Sequence, residues 1–506
     1  MSKKPYNAKD PTFLMNRLKT FAWPLFLVLS LAIVYGMTLL PDVGGWGDTG
    51  KFQFLGHVLG TPHATGYPGY LLLNFLFTTF IPFGTLAFKA NLFSAVCAIG
   101  ACCFLYRTLK LLECSEGVAA LTALAFGFTN TLWSYALVAE VYTLNIFFVS
   151  MVVFCLLHWR KTKNNRSLLL ACLLYALSFG NHLTMICLLP ALVSFIVFVD
   201  RKAAFTRSNI LWVIAFVTLG ASQYLYLYWR YLDPNALFLE MQISDWSTFW
   251  WYITGAQFKS QFFPFSFSEL IFQQIPYAAQ ELFHQWSFFL VLALVGMWKS
   301  RHRMFASFLV TAFLGYGILV INYDIFDIAS YYLPMTFVLA IFIAKGSSFL
   351  LKKYVHQSSP WPMVVYAFIP LTLMAANYGF VDQSQASKGE ETREILQLIG
   401  HDAVILPAHY SQATHLWYYL LGEGLGEEKN LSIAFQDPMV PLMEEVVDYV
   451  KTDQPLYLPF ERREVQPGLA VFVVGRATAN ELKAEGLDLK LVDLRNDLYQ
   501  VQKERL

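Results

Sequence analysis

The residues with the greatest chemical capacity lie in the stretch 42–70, DVGGWGDTGKFQFLGHVLGTPHATGYPGY, just after the first long apolar run. Two carboxylates, Asp42 and Asp48, stand there among glycines, histidines and prolines. Asp48 can act as a general base if it stays ionised, and the backbone amides of the GDTG run could hold it so. The same residue is also placed to cap a helix whose Phe52, Leu55, Val58 and Leu59 share one face. Gly60 and Pro62 would end that helix after about three turns, leaving it along a membrane surface. Four further polar sets recur at the ends of apolar runs: Lys89 with Asn91, Glu140 in WSYALVAEVYTLN, Asn181 with His182 in SFGNHLT, and Asp324, Asp327, Tyr331 and Tyr332 in NYDIFDIASYYLP. Singly, each has a structural reading: a helix-start carboxylate, a snorkelling lysine, a turn histidine, interfacial tyrosines. Ionisable groups at membrane depth are costly unless paired or functional, so the argument for a site is that they converge.

The elements that must position them are membrane helices. With 56% hydrophobic and 14% charged residues over 506 positions, the chain is too apolar for a soluble globule of this length. A net charge of +1 argues against nucleic acid as a partner. A span needs about 20 apolar residues. The runs 21–41, 88–107, 117–134, 139–158, 167–181, 183–199, 209–229, 284–298, 304–321, 333–351 and 362–378 therefore predict about eleven transmembrane helices. Lys and Arg collect in 1–20, 107–116, 159–166, 200–208, 299–303 and 352–353, which places those segments in the cytoplasm. They share one side only if 69–81, bracketed by Pro68 and Pro82, is a short juxtamembrane or re-entrant helix.

The expected organisation is a basic cytoplasmic N-terminus (1–20), a transmembrane domain (21–378) and a soluble segment (379–506). The transmembrane domain carries a first outer loop (42–87) and a long outer loop (230–283). Trp246, Trp250, Trp251 and Tyr252 of the long loop read as an interfacial belt. From 379 onward 12 Lys and Arg face 21 Asp and Glu, and runs such as HDAVILPAHYS, LAVFVVG and LKLVDL alternate with helical stretches. That alternation predicts an α/β domain outside the cytoplasm, on the same side as the polar sets.

In their order, GDTG, HATGYPGY, WSYALVAEVYTLN, SFGNHLT and YYLP resemble the membrane glycosyltransferases of the GT-C superfamily, and more narrowly their protein O-mannosyltransferase-like group. The resemblance spans roughly residues 20–350 and leaves the C-terminal segment outside it. It implies a polytopic GT-C-like fold, a donor made of a sugar on a polyprenyl phosphate, and Asp48 as the catalytic acid of the first outer loop. The group's usual D-S-G-E becomes Asp48-Thr49-Gly50-Lys51 here, its histidine-proline-proline pattern becomes His63-Ala64-Thr65, and Lys89 stands where relatives often carry arginine.

The expected chemistry is transfer of a sugar, mannose-like by resemblance, to a hydroxyl of an exported protein or an envelope glycan or lipid. Asp48 is the base, Lys89 and His182 are the donor-phosphate partners, and Glu140, His63, Tyr67, Asn181, Asp324, Asp327, Tyr331 and Tyr332 line the substrate site. A single displacement at one carboxylate inverts the anomeric centre. No cofactor is required. A divalent cation held by Asp42, Asp48 and Glu140 is the less favoured arrangement, because no spacing specifies one. The competing readings are a transporter or flippase of a lipid-linked glycan, and an assembly component whose polar residues only join helices.

Overall fold

The computed structural model describes residues 11–300, 303–354, 361–436 and 440–502. The first ten residues of the basic N-terminal segment expected at 1–20, together with Arg301 and the last four residues, lie outside them. Among the described residues, eight helices are long and apolar enough to cross a membrane: Phe21–Thr38, Leu86–Leu111, Tyr142–Thr162, Leu183–Ala204, Arg207–Leu232, Phe267–Ser300, Ile328–Tyr354 and Trp361–Val381. The three other expected spans coincide with shorter apolar helices, Glu116–Gly127, Asn165–Ser178 and Met304–Val320. In the first of these the apolar run is longer than the helix. The chain stops at Gly127 and Phe128 and restarts as Asn130–Ala136, since Thr129 takes an extended conformation. The segment between Pro68 and Pro82 forms a 13-residue helix, Pro68–Phe80. Its length of roughly 20 Å falls short of a hydrocarbon core of about 30 Å.

Burial sorts the helices. Ile328–Tyr354 and Tyr142–Thr162 are enclosed by their neighbours, whereas Arg207–Leu232 turns Leu211, Trp212, Ile214 and Val217 outward. Apolar side chains on the outside of such a bundle are what a lipid solvent allows. At the centre, Leu290–Ser300 and Leu333–Tyr354 approach so closely that a Cβ on Gly296 would lie 1.9 Å from the Phe342 carbonyl oxygen. Gly296→Ala therefore forces two backbones apart. The expected loss is about 1–3 kcal/mol, read as a lower thermal midpoint in detergent. Gly379→Ala, whose Cβ meets nothing within 4 Å, is expected to leave the midpoint unchanged or raised.

In the long outer loop, Asp245 caps the helix Trp246–Ile253 through a capping box. Trp246, Trp250 and Trp251 are exposed, as a belt requires. Tyr252 is not part of it: the ring is buried and the hydroxyl donates to the Pro62 carbonyl at 2.7 Å. The helix expected after Asp48 also differs. It lasts only from Thr49 to Phe52, and the Asp48 side chain makes no capping bond. Phe52 and Leu55 are buried inside the protein rather than laid on a membrane surface. The carboxylate has charged and hydroxyl partners here, which are stronger attractions than a backbone amide.

The C-terminal segment is an α/β domain. Its five-stranded sheet runs in the order 431–433, 403–406, 470–474, 498–502, 488–493, with the first three strands parallel and the last two antiparallel to their neighbours. The runs HDAVILPAHYS, LAVFVVG and LKLVDL supply three of these strands. The domain sits against the end of the bundle where residues 42–87 emerge. Lys388 N donates to the Val43 carbonyl at 2.8 Å, and the Ala87 amide donates to the Tyr418 hydroxyl at 3.3 Å.

Candidate active site

Lys51 is the centre of the polar cluster. Its side chain is fully buried, and its ammonium lies 2.9 Å from Asp48 Oδ1, 2.8 Å from Glu240 Oε2 and 2.8 Å from His63 Nδ1. An ammonium has three protons and can only donate, so these three acceptors use it completely. His63 Nδ1 must then accept, which leaves the ring proton on Nε2, 3.6 Å from Asp48 Oδ2. Glu240 accepts a second bond from the His63 amide at 2.8 Å. Asp48 Oδ1 receives another donor, the Tyr410 hydroxyl at 3.1 Å. Oδ2 is therefore the less occupied oxygen of a side chain that remains 27% exposed.

Burial pushes the Asp48 pKa up, but the Lys51 ammonium, His63 and the hydrogen bonds from Lys51 and Tyr410 outweigh it and hold the group at about 2. Burial likewise disfavours the Lys51 charge, and the Asp48 and Glu240 carboxylates reverse this and raise its pKa. Glu140 behaves differently. Burial first, and then the negative charges of Asp48 and Asp327, push its carboxyl well above the usual range, which favours the neutral acid. Its Oε1 accepts from Thr49 Oγ1 at 3.3 Å, and its backbone is tied to Ser94.

Beyond His63 lies an aromatic cluster. Tyr67, Tyr142 and Tyr331 surround His182, with ring centroids 5.9, 5.7 and 5.3 Å from it. His182 Nδ1 accepts from the Thr184 amide at 3.3 Å, so the neutral ring carries its proton on Nε2. Burial and the neighbouring His63 lower its pKa to about 4. Tyr142 donates a short hydrogen bond to Asp327 Oδ2, joining that acid to the same cluster.

The expected residues divide accordingly. Asp48, His63, Tyr67, Glu140, His182, Asp327 and Tyr331 come together. Asn181 sits beside them as a brace, its amide donating to the Val141 carbonyl at 3.2 Å, and Asn91 does similar work between Gln53, Leu40 and Ala139. Three expected residues stand apart. Lys89 faces His57, whose pKa is lowered by burial and then by that lysine. It lies on the first turn of Leu86–Leu111 and is not among the charged partners of Asp48 or Glu140. Asp324 lines a separate cavity of about 410 Å³ with Gln273, Gln274 and Tyr277. Tyr332 is buried with its hydroxyl unpaired.

Nor do Asp42, Asp48 and Glu140 gather around a cation. Asp42 turns to Arg393 at 3.3 Å, and among the described residues no group of three or more His, Cys, Asp or Glu side chains could hold a metal ion. Lys51, Glu240 and Tyr410 escaped the sequence reading. Lys51 looked like a lost carboxylate, while Glu240 and Tyr410 carry no local pattern that marks them.

A cavity of about 1140 Å³ is lined by apolar side chains that include Leu168, Cys172, Ile186, Val213 and Trp250, together with Leu183, the residue after His182. It reaches Thr254, next to Gly255, which abuts Thr65 two residues from His63.

Residues 48–205 match the family model described as Protein O-mannosyl-transferase TMEM260 N-terminal domain. The chain is 28% identical over 236 residues to Protein O-mannosyl-transferase tmem260 of Dictyostelium discoideum, and 29% identical over 203 residues to Protein O-mannosyl-transferase TMEM260 of Mus musculus. These matches cover 44% and 39% of this chain but only 29% of either relative. The fold is similar to that of ArnT from Cupriavidus metallidurans bound to undecaprenyl phosphate. The TM-score is 0.63 at 13% identity, over 95% of this chain and 97% of ArnT. The apo form of ArnT gives 0.60.

Proposed function

We propose, from the premise that the chain belongs to the GT-C superfamily in its protein O-mannosyl-transferase and TMEM260-like group, that it is an inverting glycosyltransferase using a polyprenyl-phosphate-linked sugar. The observation that carries this reading is one ionised carboxylate, Asp48, whose Oδ1 is held by Lys51 and Tyr410 while Oδ2, with His63 Nε2 at 3.6 Å, is the less occupied oxygen. The large apolar cavity suits a polyprenyl chain, whose burial is non-directional and scales with apolar area. ArnT, with undecaprenyl phosphate bound, supports that choice of lipid.

In this mechanism Asp48 Oδ2 takes the proton from the acceptor hydroxyl as its oxygen attacks the anomeric carbon from the face opposite the phosphate. The C–O bond to the phosphate breaks, and the polyprenyl phosphate leaves with the electron pair. His182 Nε2–H and the hydroxyls of Tyr67 and Tyr331 are the donors for the phosphate and sugar oxygens. Neutral Glu140 can donate to the acceptor, and Asp327 steadies Tyr142 beside the sugar. The lysine side chain of the phosphate pair, Lys89, has no part in it. Lys51 places a fixed cation between the Asp48 and Glu240 carboxylates, and the proposed transfer is written without a metal.

The acceptor is a hydroxyl of an exported protein or of an envelope glycan or lipid, and mannose is the sugar that the group's name suggests. The site faces away from the cytoplasm. Leu86–Leu111 starts beside it and ends at the basic Arg107 and Lys110, 26 residues or roughly 39 Å away.

The test is transfer from a purified polyprenyl-phosphate sugar in EDTA, with the anomeric configuration of donor and product compared by NMR. The expected product is inverted and forms without added metal. Retention of configuration would reject the single-displacement assignment, and full dependence on a divalent ion would reject the role given to Lys51.

A further inference from the structure

The C-terminal domain does more than cover the bundle. The first residue of its helix Tyr410–Trp417 reaches Asp48, 362 positions earlier in the chain. The helix rests directly on the GDTG loop. A Cβ on Gly50 would lie 2.4 Å from Thr414 Oγ1 and 2.9 Å from the His415 ring, so the third residue of Asp48-Thr49-Gly50 must be glycine for the domain to seat. The Tyr410 ring also covers Lys51, its centroid 5.5 Å from the ammonium. A second strap of the domain holds the other end of the lysine bridge. Leu239 N donates to the Phe460 carbonyl at 2.9 Å and Gln242 Nε2 to the Pro459 carbonyl at 3.0 Å, on either side of Glu240. Both carboxylates that Lys51 joins are thus set from the C-terminal domain.

We infer that Tyr410 is a positioning residue of the transfer site: its hydroxyl engages Oδ1 of Asp48 and leaves Oδ2 as the oxygen that takes the acceptor proton. The inference rests on the reading of Asp48 as the base. A carboxylate with two donors on one oxygen cannot rotate to exchange its oxygens without breaking both bonds. The base is therefore aimed before the acceptor arrives, and positioning of this kind acts on the rate of the chemical step more than on binding. Without Tyr410, Oδ1 keeps one donor, Lys51, and Oδ2 has only the longer 3.6 Å approach of His63 Nε2, so the Tyr410 hydroxyl is the second bond that fixes Oδ1. Docking of the C-terminal domain then becomes a condition for turnover, although the domain lies outside the residues that match the family model.

The experiment compares full-length Y410F, Y418F and D48N proteins in the same detergent. Phenylalanine keeps the ring over Lys51 and removes only the hydroxyl. Y418F removes a different hydroxyl at the same domain boundary, the one that accepts from the Ala87 amide, without touching the cluster. For Y410F the expected result is a kcat lower by roughly 10- to 100-fold, with donor KM and thermal midpoint little changed. Y418F keeps wild-type kcat. A wild-type kcat in Y410F with an inactive D48N overturns the inference and spares the reading of Asp48, whereas an active D48N overturns that reading itself. Equal losses in Y410F and Y418F, or a collapsed thermal midpoint in Y410F, would reduce Tyr410 to an interface contact and also overturn the inference.

Discussion

Asp48→Asn is expected to give a protein that folds, still binds the lipid-linked donor, and transfers sugar at least 10²- to 10⁴-fold more slowly, the usual range for a missing general base. That corresponds to about 3–5 kcal/mol of transition-state stabilisation. The asparagine keeps the shape and still accepts from Lys51 and Tyr410, so the loss isolates proton uptake. Donor binding is read by retention of a radiolabelled polyprenyl-phosphate sugar, and transfer by single turnover. Unaltered transfer would return the chain to the transporter or assembly readings, since neither needs a base at this position. The pKa of about 2 means that Asp48 is ionised throughout the range in which enzymes work. For stability the sign follows from that depression. The contribution of ionised Asp48 is fully present above about pH 4, the unfolded value, and is lost as pH falls toward 2, a change of about 2 kcal/mol.

Lys51→Met is expected to be the most destabilising substitution in the site. Lys51 is fully buried, Glu240 is 3% exposed, and removing the cation strands two carboxylates and the His63 acceptor together. Breaking a buried pair in this way costs about 3–5 kcal/mol. Burial is then opposed only by His63 and the Tyr410 hydroxyl, so the Asp48 pKa moves up from its wild-type value. The stability that ionised Asp48 loses below about pH 4 in the wild type is therefore smaller in Lys51→Met, and the midpoint of the variant falls less steeply between about pH 4 and 2. The double variant Lys51→Met with Glu240→Gln should recover part of the loss, because one stranded charge is gone. A midpoint in Lys51→Met equal to that of the wild type would show that the three contacts contribute nothing net.

Both predictions turn on a residue pair read unequally from sequence. Asp48 stands out in the sequence because a carboxylate among glycines directly after an apolar run is unusual. Lys51, three positions later, was read as a departure from a family pattern and passed over as a site residue. Its meaning depends on Glu240, in a loop separated from it by 189 positions. No periodicity links residues that far apart. Lys89 drew attention for the opposite reason: a lysine at the start of a span is conspicuous, yet the helix turns it toward His57.

The sequence by itself determined that this is a multi-pass membrane protein with an α/β domain at its C-terminus. Those properties follow from local quantities: runs of hydrocarbon side chains set by bilayer thickness, basic residues between them, and short β-branched runs alternating with amphipathic helices. Only the tertiary structure decided which polar residues meet. The direction of each side chain at a helix end depends on where one short helix stops, as at Phe52, and on which distant backbone packs against it, as Tyr410–Trp417 does over Gly50. A charge cluster forms where several chain segments arrive at once, and the desolvation that gives Lys51 and Asp48 their partners exists only after those segments have closed over them.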